Sequence, residues 1–414
     1  MTFPFYRAFR VKWDGTNWSD LTADLRQMTV NSCRRSLTSA TWQPGSATFV
    51  LDNRDRTYDP LFTTGAYYGD LDVGKLVEIR VGASLVVSLS VWRGWIDRIS
   101  FGYDPRTGDA TVTLECIDAM ARLGRASVPA GVTPSFVNGE SVSDRAEAIL
   151  AAAGVTDITI GNSGVTFGSA GSAACGTYWD ATRSHNVLEA LQSCADLEAA
   201  PLVTNYLDPE VVGDVHLAPR YWFQSSEFAA SPYFTFGDMD LAPMMDVNVA
   251  YGGGSVLTAI AASSDNGLTA SSSNSTTIAA YGVTDGGVRL PDLPAQDAGE
   301  LKSTCNTWLA LHQSPGLWVE SIRVRPNRFS NLALAIYAIH KTSWIPVRVT
   351  VTFSPPGGGS AISADSFVIG WTHTADAEVW DSTYYLMPTA PYDAFGDRFI
   401  IGSSLIGGTD VIGF

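Results

Sequence analysis

Apolar and polar residues alternate with a period of two through much of the first part of the chain. The alternation is clearest in three segments, 47–51, 77–81 and 112–116. A period of two is typical of strands with one buried and one solvated face. Pro105 and Gly108 mark a turn at 103–109, because proline presets φ and glycine accepts a positive φ. Several short strands joined by such turns favour a barrel or a sandwich.

The period of 3.6 residues that is typical of helices appears further along the chain. Helices are predicted at 118–124, 141–153, 184–199 and 295–312. A serine or an aspartate begins the second of these and Ser184 can cap the third, while Gly154 and Pro201 end them. Two short strands, 201–206 and 215–220, complete a small α+β module.

The remainder of the chain returns to extended segments. Strands are predicted within 221–262 and from Trp318 onward, notably at 348–353, 367–373 and 382–387. Residues 263–277 are rich in Ser, Asn and Thr and predict an exposed loop, and the Pro- and Gly-rich 355–360 predicts a mobile loop. The glycine-bearing tail at 388–414 is predicted to lie along a neighbouring surface.

Composition and charge narrow the class of protein. The 414 residues suggest two to four domains, and 45% hydrophobic against 16% charged residues indicates a folded chain. Lys and Arg number 26 and Asp and Glu 42, so the net charge is −16. Specific DNA or RNA binding is not expected, because it needs a basic face. An acidic surface suits a channel that DNA slides past, although the same charge also serves solubility.

The cysteines and the longest apolar run indicate in which cellular compartment the protein is expected. The cysteines are widely spaced and form no CxxC pair; they stand at 33, 116, 175, 194 and 305. This spacing predicts buried thiols rather than a disulfide framework or a zinc site. The N-terminus lacks the layout of a signal peptide, and the run from Leu332 to Ile339 is too short to cross a bilayer. Synthesis in a cytoplasm and no membrane anchor are therefore expected.

Motifs of catalysis are missing from the sequence. The GxSxG, GxxxxGK[ST] and HExxH patterns do not occur. The histidines are isolated in sequence, at 185, 216, 312, 340 and 373. We therefore predict no catalytic, cofactor-binding or metal-binding residue, no cofactor and no enzymatic activity. A glycosidase-like pair of carboxylates stays open, because acidic residues are abundant, but nothing singles out two of them. The many Trp and Tyr residues favour a core over a sugar-stacking platform.

The acidic run at 52–59 superficially resembles a calcium-binding loop. An EF-hand loop needs glycine at its sixth position and a distal glutamate, whereas Thr57 stands sixth here. Arg54 and Arg56 already balance the acidic charge. The run is therefore predicted to be a structural turn, in which Asp and Asn side chains accept backbone amides and the arginines pair with carboxylates.

The most informative segment is Ala47–Pro60, a strand ending in Leu-Asp-Asn that leads into an Asp-containing turn and an aromatic-Asp-Pro. A loop of small and aromatic residues follows, and then three strand-like segments, Gly74–Arg80, Arg93–Asp97 and Val112–Asp118. This order resembles the N-terminal signature of minor tail proteins of long-tailed phages (siphoviruses), in particular those of actinobacterial hosts. Similar segments continue in the family's order at Asp246–Val249, Ser275–Gly282 (with Thr277 for a family serine), 295–312 with Pro315, and Val368–His373 with Trp380 and Tyr385-Leu386.

The resemblance implies a β-rich α+β fold of the phage tail-hub type, with two tube-protein-like β-barrels and α+β insertions. The implied domains are a first β-barrel at 1–125, an α+β domain at 126–220, a second β-barrel at 221–262 and 319–390, a helix-containing insertion at 263–318 and a C-terminal tail at 391–414. A homotrimer is implied as well, because three chains with two barrels each make a ring of six under a six-fold tail tube.

The implied function is that of a structural hub of the tail tip, which joins the tube to the host-facing end and lets DNA pass. Implied partners are the distal tail or tube ring protein, the tape-measure protein and receptor-binding or tip proteins. The implied location is the distal tail tip of the virion, after synthesis in the bacterial cytoplasm. Two alternatives stay open: a carbohydrate- or receptor-binding tail protein, suggested by the aromatic content and the loops at 263–277 and 355–360, and a cell-wall hydrolase, for which no motif is found.

Overall fold

A computed structural model describes the chain from Phe5 to Thr389 with internal gaps. The residues outside the description are 1–4, 36–41, 85–86, 162–172, 200–201, 206–213, 218–231, 238–241, 253–255, 283–287, 313–315, 343–345, 358–359 and 390–414. The predicted C-terminal tail at 391–414 lies outside the described residues, as do parts of the predicted strands at 201–206 and 215–220.

The first part of the chain is built almost entirely from strands. They are β1 Tyr6–Val11, β2 Ser19–Asp20, β3 Leu25–Asn31, β4 Arg34–Arg35, β5 Trp42–Gln43, β6 Ser46–Asp52, β7 Leu76–Gly82, β8 Ser88–Asp104 and β9 Asp109–Ile117. The three alternating segments fall in β6, β7 and β9, which confirms them as strands. The predicted turn joins β8 to β9, and Gly108 adopts a φ of +70° there.

Short helices and strands follow. They are α1 Ala119–Leu123, β10 Ser127–Val128, α2 Val142–Ala152, β11 Thr159–Gly161, β12 His185–Asn186, α3 Val187–Glu198, β13 Leu202–Asn205 and β14 Asp214–Leu217. The predicted serine start of α2 is confirmed at Ser141, and the structure adds a reciprocal pair of bonds between Ser141 and Asp144. The predicted start of α3 at Ser184 was wrong. Asn186 is the N-cap, because His185 and Asn186 pair with β10 before the helix begins.

The second half contains more helix than the sequence suggested. Its elements are β15 Phe234–Gly237, β16 Met244–Gly252, β17 Ala259–Ser264, β18 Thr269–Ser273, α4 Ser275–Tyr281, β19 Val288–Leu293, α5 Ala298–Leu311, β20 Gly316–Val324, a 3-10 helix Pro326–Arg328, α6 Leu332–Thr342, β21 Val347–Phe353, β22 Ile362–Asp376 and β23 Trp380–Pro388. The predicted helix at 295–312 is α5, and the strands predicted at 348–353, 367–373 and 382–387 lie in β21, β22 and β23.

Two predictions in this half were wrong. The segment 263–277 is not an exposed loop, because its hydroxyl residues pair along β17 and β18 and Asn274 caps α4 through the amides of Thr276 and Thr277. The apolar run that begins at Leu332 is a helix inside a region predicted to be strands. Its buried residues Ala335, Ala338 and Ile339 follow helical spacing, and α6 packs against β7 and β8 of the first part.

One continuous sheet connects the two strand-rich regions. Its order is β16-β20-β23-β22-β3-β6-β9-β8-β7-β1-β2, and β21 extends it from β22 to β15. The connection is the antiparallel pairing of β3 with β22, where Asn31 lies opposite Thr372 and accepts its hydroxyl at 2.8 Å. The β-rich α+β class is confirmed. No closed barrel is found among the described strands, so the two barrels and the domain boundaries stay predictions.

Large aromatic side chains are prominent in the buried core. The largest fully buried ones include five tryptophans, Trp13, Trp42, Trp92, Trp371 and Trp380. Phe49 stacks on Phe9 at 4.3 Å between ring centroids and lies 6.3 Å from Trp92. These residues belong to the core, as the sequence favoured. In the described part of the chain, no helix has both the length and the apolar character needed to cross a membrane.

Candidate assembly surface

The acidic run at the end of β6 forms the structural turn that the sequence predicted. The Asn53 side-chain oxygen accepts the Tyr58 amide at 2.9 Å. Asp55 accepts the Thr57 amide at 3.0 Å, and Asp59 accepts the Leu61 amide at 2.8 Å. Side chains thus satisfy backbone donors that no strand or helix reaches.

The arginines of the run pair with its carboxylates. Arg54 binds Asp52 at 2.5 Å, and Arg56, in a left-handed conformation at φ +64°, binds Asp59 at 2.8 Å. The side-chain bonds from Arg54 lower the pKa of Asp52 to about 2, and Arg26 adds to the effect. The Leu61 amide and then Arg56 lower the pKa of Asp59. The carboxylates are therefore held by guanidinium and amide groups in the manner of a structural turn.

Tyr58 anchors the loop that follows the turn. Its ring is buried, lies 5.6 Å from the ring of Tyr67 in a stacked arrangement and is 6.4 Å from Trp13. Its hydroxyl donates to Asp24 at 2.6 Å, and burial followed by this bond raises the pKa of Tyr58. A buried phenol with a hydrogen-bond partner fixes the loop to the sheet.

The same loop, residues 53–75, holds large apolar side chains in solvent; we call it the motif loop. Leu61 is 83% exposed, Tyr68 49% and Val73 53%. Exposed apolar groups on a rigid support are typical of interaction surfaces, because covering them removes apolar area from water. The motif loop is therefore the first candidate contact surface.

The second candidate surface is β16, which ends the sheet. Among the described strands β16 pairs only with β20, so within that part of the chain its other side has no strand partner. Met245 stands in a register shift and is 42% exposed, and Val249 is 39% exposed. Bulges at sheet edges re-aim side chains. This edge is nine residues long, whereas β2 at the opposite end has only two.

The histidines lie in or beside different elements and have different neighbours. His373 is fully buried between Trp371 and Trp380, its Nδ1 lies 2.8 Å from the Ser382 hydroxyl, and burial lowers its pKa to about 3. His185 lies on Trp179, and His312 lies on Trp308; His216 and His340 belong to β14 and α6. Among the described residues, no group of three or more His, Cys, Asp or Glu side chains is arranged to hold a metal ion.

All five cysteines are buried thiols, as predicted. Burial raises the pKa of Cys194 to about 12 and raises the pKa of Cys116 and of Cys175 as well. Thiols with raised pKa values are poor nucleophiles at neutral pH, because the thiolate is the reactive form.

Sequence reasoning missed a buried ionic cluster around Glu78 in β7. Glu78 alternates with apolar residues and was therefore expected on the solvated face, yet it is fully buried. It binds Arg93 at 2.6 Å and Arg80 at 3.1 Å, and it also binds Arg10. Burial acts to raise the pKa of Glu78, but the arginines outweigh it and the pKa is lowered. Arg10, Glu78 and Arg93 lie opposite one another on three neighbouring strands. This arrangement becomes visible only when the strand pairing is known.

Comparison with known proteins connects this architecture to solved structures. No protein-family model and no curated protein matches the sequence. A tail protein from Neisseria meningitidis superposes with a TM-score of 0.55 and 14% identity, over 94% of this chain and 98% of that one. A 43 kDa tail protein of prophage MuSo2 from Shewanella oneidensis superposes with a TM-score of 0.50 and 9% identity, over the same shares. The chain therefore has a fold found in tail proteins.

Proposed function

We propose that the chain is a structural hub of the tail tip of a long-tailed phage, similar to those of actinobacterial hosts. The observation that carries the proposal is the shared fold with tail proteins over 94% of the chain. The ordered sequence segments from Ala47–Pro60 onward support the same assignment independently of the superposition. In this role the protein is part of the virion and lies at the distal tail tip.

The proposed assembly is a homotrimer with two tube-like barrels per chain. A closed ring of identical subunits uses heterologous contacts, in which one surface of each subunit meets a different surface of the next. The motif loop and the β16 edge are two such different surfaces. They lie in the first and second strand-rich regions, which is the arrangement that alternating barrels in a ring need.

The proposed partners follow from the position of a hub. The ring would meet the distal tail or tube ring protein on one side and receptor-binding or tip proteins on the other, and it would contact the tape-measure protein. DNA would pass through a lumen without specific binding, which the net charge of −16 supports because like charges repel. The role requires no catalytic group.

Light scattering on the purified chain tests the proposal. A hub of this kind is expected to elute with three times the 44.3 kDa mass of one chain and to form rings with three-fold symmetry under the electron microscope. A species that stays monomeric at every concentration and in the presence of tail tube protein would contradict it.

Two measurements address the alternatives. A cell-wall zymogram with the full chain is expected to show no clearing, and clearing would favour the hydrolase alternative. Binding to isolated host cell wall without any assembly with tail proteins would favour the carbohydrate- or receptor-binding alternative.

A further inference from the structure

A cleft of about 450 Å³ separates α3 from the β17–β19 sheet. The α+β module provides one wall, and the sheet with its connecting turns provides the other. The two walls are fixed to each other, because Thr304 in α5 donates to the Leu197 carbonyl at 2.8 Å and Gly176 donates to the Pro294 carbonyl at 2.9 Å. The lining residues used below are Trp179, Arg183, His185, Asp265, Arg289 and Asp292.

Two carboxylates from the sheet side line the cleft. Asp292 lies in a register shift of β19, where Pro291 and Asp292 stand opposite the single Ser263. Its left-handed φ of +56° is uncommon for a residue other than glycine. A bulge with such a conformation redirects a side chain, and strained backbone of this kind concentrates at binding sites.

Asp265 lies in the turn between β17 and β18 and lines the cleft. In the part of the chain that the structure describes, its carboxylate makes no hydrogen bond or ion pair. Burial raises the pKa of Asp265, and the negative charge of Asp292 adds to the increase, whereas Arg183 acts in the opposite direction. The carboxylate lines the cleft, where it can accept hydrogen bonds from a ligand that supplies donors.

The opposite wall presents a fixed aromatic pair. The rings of Trp179 and His185 lie 4.0 Å apart between centroids. Phe136 contacts Trp179 edge-on at 5.6 Å, and the Nε2 of His185 donates to the Asp180 carbonyl at 2.7 Å. The pair is thus held from two sides. Arg183, which binds Asp180 at 3.3 Å, and the exposed Arg289 add hydrogen-bond donors to the same cleft.

We propose that this cleft binds a neutral pyranose sugar, with the carboxylates of Asp265 and Asp292 accepting its hydroxyl groups and the sugar ring lying towards Trp179. Carboxylate acceptors, guanidinium donors and an aromatic side chain match the hydroxyl rim and the apolar face of such a ring. A divalent cation fits less well, since no described metal-ligand group includes these residues and guanidinium groups line the same cleft. An anion fits less well because four acidic residues line the cleft against three arginines.

Saturation-transfer difference NMR on the full chain, with glucose and glucuronate as probes, tests the proposal. The two sugars share their ring and differ only at C6, which carries a hydroxyl in one and a carboxylate in the other. Glucose is expected to give a saturable signal in the millimolar range, and glucuronate is expected to bind at least about tenfold more weakly because Asp265 and Asp292 repel it.

Variants test whether the glucose signal comes from the cleft. Asp265→Ala is expected to weaken glucose binding about tenfold, the effect of removing one charged hydrogen bond. Asp292→Asn removes the charge at a residue type that tolerates the left-handed backbone, and it should weaken binding in the same direction. Glu147→Ala, which removes an exposed carboxylate of α2, is the matched control and should leave binding unchanged.

Three results would contradict the proposed sugar site. No glucose signal at tens of millimolar, equal binding of glucose and glucuronate, or binding that Asp265→Ala leaves unchanged would each reject the site. The oligomeric state of the same samples is measured separately, so failure of the sugar site and failure of the hub remain distinguishable. The inference does not depend on the proposed hub function.

Discussion

The motif loop and the β16 edge both expose apolar side chains, yet they are built in opposite ways. In the motif loop, the side chains of Asn53, Asp55 and Asp59 satisfy the backbone, and Tyr58 fixes the loop to the core. Along β16, one side of the backbone lacks a strand partner among the described residues. The loop therefore offers a preorganised apolar contact, whereas the edge offers backbone pairing to a partner strand.

The largest expected effect concerns the anchor of the motif loop. Tyr58→Ala should lower the free energy of unfolding by about 3–5 kcal/mol, as for other buried aromatic truncations. Tyr68→Ala, in the same loop but exposed, should change it by less than about 0.5 kcal/mol. Urea denaturation of the two variants measures the difference. Equal losses would mean that the loop is not fixed by Tyr58.

The next effect concerns assembly through the same loop. Leu61→Asp should weaken self-association by about 2 kcal/mol or more, because a leucine can no longer be buried at a contact. The stability of the monomer should be unchanged, since Leu61 is exposed. Val137→Asp, at an exposed valine of the α+β module, is the control. Sedimentation equilibrium compares the variants, and unaltered association of Leu61→Asp would remove the motif loop from the interface.

A smaller effect on assembly is expected at the β16 edge. Val249→Lys should weaken assembly by about 1 kcal/mol, because a lysine on an edge strand disfavours pairing with another strand. Leu332→Lys, on the exposed side of α6, makes the same chemical change away from any sheet edge. If both lysine variants reduce association to the same extent, the loss of association is an effect of net charge and not of the β16 edge.

The smallest effect is a pH dependence at the turn. The folded-state pKa of Asp52 is about 2, below its ordinary value of 3.8. A depressed pKa stabilises the fold above the ordinary value, and this contribution is lost as the pH falls from about 4 to 2. Thermal unfolding of the chain and of Asp52→Asn should therefore differ at pH 6 by less than about 1 kcal/mol and converge near pH 2. A difference that grows towards low pH would contradict the assignment.

Features encoded locally could be predicted from the sequence. The period of two located β6, β7 and β9, and the side-chain chemistry of the 52–59 run gave its turn and its ion pairs. Ser141 and Gly154 bounded α2. These predictions succeeded because the energies that decide them arise within a few residues of each other.

Features that depend on distant pairing could not be predicted. Glu78 looks like a solvated residue until the strand partners bring Arg10 and Arg93 beside it. Serine and threonine in 269–273 look like loop residues until β17 supplies the strand with which their backbone pairs. The cleft brings Trp179 together with Asp265 and Asp292 from a separate part of the chain. No spacing of residues in the sequence indicates this arrangement.

The symmetry of the assembled particle tests the central claim most directly. Cryo-electron microscopy of tails that contain this chain is expected to show three copies in a ring at the distal end of the six-fold tube, with the motif loop and β16 at subunit contacts. Six copies along the tube, or single copies on its outer surface, would contradict the account.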